Sequence, residues 1–493
     1  MHKKRLFLVL VSVFLILLLA GQSVSLIFPL VSLGGQSAQA GELSDLNVYL
    51  PLILRNYPLP PLYFGIDFGG AIKPSRGLIE MVQAGATWVR RDGVNWAEVE
   101  PSKGARNWSV LADLETELMN ADQNGLEVIL IVSGTPGWAQ AHPGFACGSV
   151  KPEEYDAFAQ FMSDLVARYS VPPYNVKYWE IWNEPDISYQ LVELANIPKD
   201  TRFGCWGDGD APYYGGGSYG QMLSKVAPQM KLADPRAKVI VGGLLLDCDP
   251  VTNSVCTSSL FFEGILRAGG GSYFDGVSFH AYDYYDGALG KFYNPAWNSS
   301  WDTTGPVVIA KANYLKSLLD KPEYGAQGKF LMNTEAAIIC GGFDDPPGTG
   351  PCDADPNSDF ERTKAYYVTK AYTVSQSLGL RASVWYYVFG WRNSGLLYGD
   401  RSPRPAYTAY SVAAGAVDEA TFQGKITQYG NVEGFEFSQD GTIRWVLWSK
   451  NGNTYTVNLS ELPDSVYDAL GQPITPAISL DVGLIPMYVE WTD

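Results

Sequence analysis

A closed (β/α)8 TIM-type barrel followed by a small antiparallel β domain is the fold this sequence predicts, on three observations. Between about residues 62 and 415, short β-like runs alternate with longer segments of helical period, the pattern of a parallel sheet with helices outside it. Eight such units can be counted, the number that closes a barrel. After Gly415 the helical period stops and alternating segments take over.

The candidate strands are Tyr63 to Asp67, Thr87 to Arg91, Glu127 to Val132, Val176 to Trp182, Lys238 to Gly242, Gly276 to His280, Phe330 to Thr334 and Ala382 to Tyr387. Helical period is clearest in Tyr155 to Tyr169, where Phe158, Phe161, Met162, Leu165 and Val166 share a face, and again in Thr363 to Leu378. The turns 134–150, 185–217, 283–305 and 340–359 are long and rich in Gly, Pro and aromatics, and in a barrel such loops build the active-site face. Farther on, Arg444 to Trp448, Thr454 to Leu459 and Met487 to Trp491 alternate in polarity, with Asp-Gly and Asn-Gly turns nearby. The expected domains are a barrel over 62–415 and a β-sandwich-like accessory domain over 416–493.

The N-terminus carries Lys3, Lys4 and Arg5, an apolar run from Leu6 to Ala20, and the small residues Ala38-Gln39-Ala40 that a signal peptidase prefers. Residues 1–40 are therefore expected to be an export signal. That cleavage site lies far from the apolar run, so an uncleaved membrane anchor through Leu33 is the alternative. No later stretch could span a bilayer. The 41–61 segment, with Pro51 inside an apolar run, reads either as an edge strand or as a linker.

With 46% hydrophobic and 18% charged residues the chain is globular, not disordered. Its formal charge of -17 and scattered Lys and Arg exclude a phosphate-binding run, so nucleic acid is not an expected partner. Six cysteines in an exported chain form an even set. Cys248 lies near Cys256 and Cys340 near Cys352, which leaves Cys147 for Cys205. The loops after strands three and four, which carry that last pair, are neighbours in a barrel. No CxxC or paired histidines accompany them, so no metal is expected. Gly215 to Ser218 reads as a flexible turn with a Ser cap, and Asp344, Asp345, Asp353 and Asp355 as a solvated loop.

Two strand ends carry carboxylates. Tyr178 to Pro185 ends the fourth strand on Asn183-Glu184-Pro185, and Phe330 to Glu335 ends the seventh. Pro185 cannot continue a ladder, so Glu184 is delivered to the rim as the strand stops. Strands four and seven face one another across a barrel. Retaining glycoside hydrolysis needs two carboxyl groups about 5 Å apart, one protonated for the leaving group and one ionised to attack the anomeric carbon. Like charge should raise the pKa of one, and Glu184 is the natural candidate because Glu335 must stay an anion. Asn183 is placed to hydrogen-bond a sugar 2-hydroxyl.

Through Glu180-Ile181-Trp182-Asn183-Glu184-Pro185, Ser278-Phe279-His280-Ala281-Tyr282 and Thr334-Glu335 the chain resembles glycoside hydrolase clan A, most nearly family 39, over roughly 350 residues of barrel. The resemblance implies an acid/base at Glu184, a nucleophile at Glu335 and a β-xylosidase-like activity on a carbohydrate substrate without a cofactor. It also implies that Arg90, or the adjacent Arg91, surrounds the nucleophile together with His280 and Tyr282. Flat aromatic rings pack on the C–H faces of sugars, and Trp138, Trp206 and Trp385 are the candidates, each with a core role as its alternative. Rival readings are an endo-acting glucanase or mannanase of the same clan and a catalytically silent carbohydrate-binding barrel.

Overall fold

The computed structural model describes residues 63–201, 203–302, 304–342 and 350–492. The expected export segment, the 41–61 stretch and the pair Asp344 and Asp345 lie outside those residues. The described residues form a single compact unit.

Eight parallel strands make the barrel: β1 (Phe64–Asp67), β2 (Trp88–Asn95), β3 (Glu127–Ser133), β4 (Tyr178–Asn183), β5 (Lys238–Leu244), β6 (Gly276–Tyr285), β9 (Phe330–Ile339) and β10 (Ser383–Tyr386), while the short β7 (Phe292–Asn294) and β8 (Ser299–Ser300) extend β6 as an antiparallel hairpin. They pair in the order β5-β4-β3-β2-β1-β10-β9-β6, and a β5–β6 pairing closes the ring. All eight expected strands are present. Three of them run on at the far end: β2 four residues past Arg91, and β6 and β9 five residues past His280 and Thr334, paired to Tyr284 and Ile339.

Helices cover the outside, as the amphipathic pattern requires. Phe158, Phe161, Met162, Leu165 and Val166 of the helix Tyr155–Tyr169 are all buried. Inside the ring, Trp88, Ile129, Tyr178, Ile240, Met332 and Val384 pack into an apolar floor. Side chains alternate along a strand, so the next inward position of each strand stands one layer nearer the rim. By that rule Trp88 leads to Arg90, Tyr178 to Glu180 and Val384 to Tyr386.

After the helix Pro405–Val417 come β11 (Thr421–Lys425), β12 (Val432–Gln439), β13 (Thr442–Ser449), β14 (Tyr455–Asn458), β15 (Ser465–Asp468), β16 (Ser479–Val482) and β17 (Met487–Thr492). They form a five-stranded sheet, β11-β12-β13-β17-β15, and a two-stranded sheet, β14-β16. Asp440 and Gly441 have φ of 49° and 83°, the left-handed pair a two-residue hairpin requires between β12 and β13. Strand alternation sends Phe435, Phe437 and Val446 into the barrel's core and Leu447 into a second core with Val457, Leu480 and Val489. The five-stranded sheet is thus apolar on both faces.

Candidate active site

A buried guanidinium organises the rim. Arg90, on β2, is 2% exposed and gives its Nε and Nη2 to the two carboxylate oxygens of Glu180 at 3.1 and 2.6 Å. Its Nη2 also donates to Asn183 Oδ1 at 2.6 Å, and its Nη1 to Glu335 Oε1 at 2.5 Å. One Arg on β2 therefore fixes residues from β4 and β9. Glu180 is itself fully buried and takes a further bond from the Gly243 N–H at 2.8 Å. Removing Arg90 would strand two buried carboxylates, a loss of roughly 3–5 kcal/mol by the cost of breaking a buried pair. Arg91 points elsewhere, to a two-bond pair with Glu117 at 2.6 and 3.0 Å.

Glu335 stands in register with His280 across β6 and β9, beyond an irregularity after Phe279. Its other oxygen accepts the Tyr282 hydroxyl hydrogen bond. Burial raises the Glu335 pKa above the ordinary carboxylate value, while His280, Arg90 and the Tyr282 bond pull it back. Burial also lowers the His280 pKa to about 4, so the ring is uncharged at neutral pH. With that ring uncharged, the groups that favour the Glu335 anion are Arg90 and the Tyr282 hydroxyl.

Glu184 sits in a different environment. It has φ of 47°, and Trp182 two residues earlier has 66°, sparsely populated values for side-chain-bearing residues that mark a strained strand end. Its N–H is held by Gly243 O at 2.8 Å, and its Oε1 lies 2.8 Å from His280 Nδ1. Burial dominates and raises its pKa to about 7, with Arg90 and Lys311 opposing. The next carboxylate, Asp186, is also buried, raised to about 7 by desolvation, and accepts the N–H groups of Leu245 and Leu246 at 2.9 and 2.8 Å. Gly243 packs directly against the site, where a Cβ would fall 2.3 Å from His280 Nε2 and 2.9 Å from Glu180 Oε1.

An oxygen of Glu184 and one of Glu335 lie within 4.8 Å of each other, with a His280 nitrogen in the same radius. Those three donors are enough for a metal ion by number. Arg90 already places a cation against Glu335, however, which disfavours a second one. A cavity of about 300 Å³ opens over Glu335, and Asp67, Arg90, Asn183, Tyr386, Tyr387 and Trp391 are among its walls.

None of the three expected tryptophans lines this cavity. Trp385 is fully buried, its indole N–H donates to Ser394 O at 2.8 Å, and its ring meets Tyr367 on the outer side of the barrel. It cannot touch a sugar. Trp206 is 2% exposed between Trp182 and Tyr219, a core position. Trp138 is half-buried against Trp96, with its indole N–H on Glu100 O at 3.1 Å, and does not line the Glu335 cavity. The aromatics at the cavity are Tyr386, Tyr387 and Trp391. Sequence reasoning also missed Asp67, although its place at the end of the first strand could have flagged it.

All three expected disulfides form, Cys147–Cys205, Cys248–Cys256 and Cys340–Cys352, with Cα–Cα distances of 5.2, 5.8 and 5.6 Å. Cys147–Cys205 ties the loops after β3 and β4, and Cys340–Cys352 closes the loop after β9. Asp353 and Asp355 cap local backbone N–H groups in that loop.

No protein-family model and no curated protein matches the sequence. Solved structures do match the fold. A family 39 glycoside hydrolase from the gut symbiont Bacteroides cellulosilyticus WH2 superposes with a TM-score of 0.62 at 20% identity, over 87% of this chain and 81% of that one. A GH30 endoxylanase from Clostridium papyrosolvens C71 gives 0.55 at 14% identity, over 88% and 98%. CelM2, a bifunctional glucanase-xylanase from a metagenome library, gives 0.50 at 12%, over 88% and 97%. At these identities the likeness is one of fold: the (β/α)8 barrel with its β domain is an architecture these glycoside hydrolases share.

Proposed function

We propose that this protein is a retaining β-glycoside hydrolase in which Glu335 is the nucleophile and Glu184 the acid/base. The observation that carries the reading is a pair of rim carboxylates with oxygens within 4.8 Å in opposed surroundings. That separation suits the roughly 5 Å of a double displacement and is too short for the roughly 6.5–9.5 Å that an inverting enzyme keeps for its water. Glu335, paired with Arg90 and the Tyr282 hydroxyl, is suited to attack. Glu184, with a pKa of about 7, is suited to carry a proton.

His280 supports this division. Its Nε2 packs against Gly243, so the tautomer with the proton on Nδ1 donates to Glu184 Oε1 and leaves the other oxygen to hold the transferable proton. Glu335 attacks the anomeric carbon, the bond to the leaving oxygen breaks, and Glu184 gives that oxygen its proton. A water then loses a proton to Glu184 and displaces Glu335, restoring the starting configuration. Asn183, fixed by Arg90 beside Glu335, is placed to bond the sugar 2-hydroxyl.

Xylose-type substrates are the first choice, on the sequence resemblance to family 39 and on fold neighbours whose descriptions name xylanase activity. Both glutamates being present argues against a silent binding barrel. The three disulfides support an extracytoplasmic location, in keeping with the export signal expected at the N-terminus. Among the described residues no helix is long and apolar enough to cross a membrane. The test is hydrolysis of 4-nitrophenyl β-D-xyloside and β-D-glucoside, followed by ¹H NMR. Release of the β-anomer first supports the reading; release of the α-anomer first, or no turnover across aryl β-glycosides, overturns it.

A further inference from the structure

The five-residue extension of β6 beyond the expected barrel strand carries more than loop. Alternation puts His280, Tyr282 and Tyr284 on one face, running outward from the barrel. His280 touches Glu184 and Tyr282 touches Glu335. Tyr284 is the next step, and it stands directly opposite Tyr293 of β7 in antiparallel register. Their ring centroids are 6.1 Å apart with planes tilted by 46°, and the side chains are 36% and 41% exposed. Among the described residues they are the two aromatic side chains left this open, and they line one cavity of about 350 Å³, with Tyr282, Asp247, Asn294 and Lys311 also in its wall.

The platform is held rigidly. On the opposite face of β6 the buried Asp283 accepts from Ser299 Oγ, from the Val307 N–H at 2.8 Å and from the Tyr367 hydroxyl at 2.8 Å. Asn294 Nδ2 donates to Tyr282 O at 2.9 Å and ties the hairpin back to β6. Two tyrosines kept exposed on an anchored hairpin are placed for contact with a ligand.

We propose that Tyr284 and Tyr293 form the binding site for the sugar on the leaving-group side of the cut, and that the substrate is a sugar chain bound on both sides of the scissile bond. This rests on the assignment of Glu184 and Glu335 above. The sugar attacked by Glu335 occupies the cavity over that residue. The leaving oxygen departs on the side of the acid/base, and the tyrosine cavity borders that side: its walls include Leu245 and Leu246, whose N–H groups are held by Asp186 two residues after Glu184, and Lys311, whose charge acts on Glu184. Phenol faces receive the C–H faces of a pyranose, while Asp247 and Asn294 supply hydrogen-bonding edges. On the other side of Glu335, Arg91 and Asp92 line both its cavity and a further cavity of about 310 Å³. The rim thus carries cavities on both its β2 and its β6 side, with the Glu335 cavity joined to the first through Arg91 and Asp92 and linked to the second by the Tyr282–Glu335 hydrogen bond, an arrangement suited to cutting within a chain.

The test compares kcat/KM for 4-nitrophenyl β-D-xyloside and β-1,4-xylotetraose, with the glucoside and cellotetraose run beside them, in wild type, Tyr284→Ala, Tyr293→Ala and Tyr293→Phe. The expected result is a loss on the tetraose of roughly tenfold per ring removed, in excess of any loss on the aryl glycoside. Tyr293→Phe, which keeps the ring face, restores most of it and guards against misfolding. An equal loss on both substrates, or none on the tetraose, overturns the proposal. So does a wild type that cleaves aryl glycosides but neither tetraose, and that result leaves the carboxylate pair standing. A wild type inert on all four substrates removes both readings.

Discussion

Tyr282→Phe isolates what keeps Glu335 ionised. The substitution deletes one oxygen, leaves the ring's contacts with Tyr386 and Trp391 in place, and removes the hydroxyl donor from Glu335 while Arg90 remains at 2.5 Å from the other oxygen. A hydrogen bond to a charged group contributes about 1.5–3 kcal/mol. It favours the anion over the acid, so its loss raises the Glu335 pKa by roughly one to two units at about 1.36 kcal/mol per unit. His280 cannot compensate at neutral pH, because burial holds its pKa near 4. The ascending limb of the kcat/KM profile, where the nucleophile ionises, should therefore move up by one to two pH units, with Tm and circular dichroism close to wild type. The assay is a pH series with an aryl β-glycoside from pH 3 to 9, values chosen to span about the full carboxylate range. An unmoved or lowered ascending limb would refute the argument that Tyr282 holds Glu335 as an anion.

Three further outcomes follow from the same geometry. In wild type, kcat/KM should fall as pH rises through about 7, because Glu184 must be protonated to act and its pKa lies there; Glu184→Gln should abolish that limb and cost far more with poor leaving groups than with 2,4-dinitrophenolate, and equal losses across leaving groups would contradict the acid role. Gly243→Ala drives a methyl to 2.3 Å from His280 Nε2, so denaturant titration should show a loss of about 1–3 kcal/mol and kcat should drop with it, whereas wild-type stability would mean the site is looser than described. Reducing Cys147–Cys205, which spans 58 residues and is expected to restrain the unfolded chain by about 4 kcal/mol, should raise KM before far-UV dichroism changes; unfolding that precedes any change in KM would contradict the view that the bridge orders rim loops.

The barrel was legible because parallel strands and amphipathic helices leave separate periods in the sequence, and Glu184 and Glu335 because each closes an apolar run. The tryptophans were not, and Trp385 shows why. Its strand reads Ser-Val-Trp-Tyr with both faces apolar, so alternation gives no sign of which residues turn inward. Pairing decides it: Tyr386 lies opposite Asp67 and Asp67 opposite Arg90, so Tyr386 shares their inward face and Trp385 is sent out against the helices. A one-residue change of parity moves a ring from sugar platform to core. The extension of β6 was missed for a related reason. Asp283 and Asp286 read as turn residues, yet Asp283 is buried and satisfied by donors from distant segments, Ser299, Val307 and Tyr367, which no local pattern reveals. The left-handed backbone at Glu184 is likewise a tertiary fact, imposed where its N–H reaches Gly243 O.

The most direct test of the account is to trap the reaction halfway. Incubation with a 2-deoxy-2-fluoro β-glycoside bearing a good leaving group, followed by peptide mapping in a mass spectrometer, locates the carboxylate that bonds to the sugar. The account predicts one sugar per chain, on the peptide that contains Glu335 and absent from Glu335→Gln; a label on Glu184, or full inhibition without any covalent sugar, would contradict it.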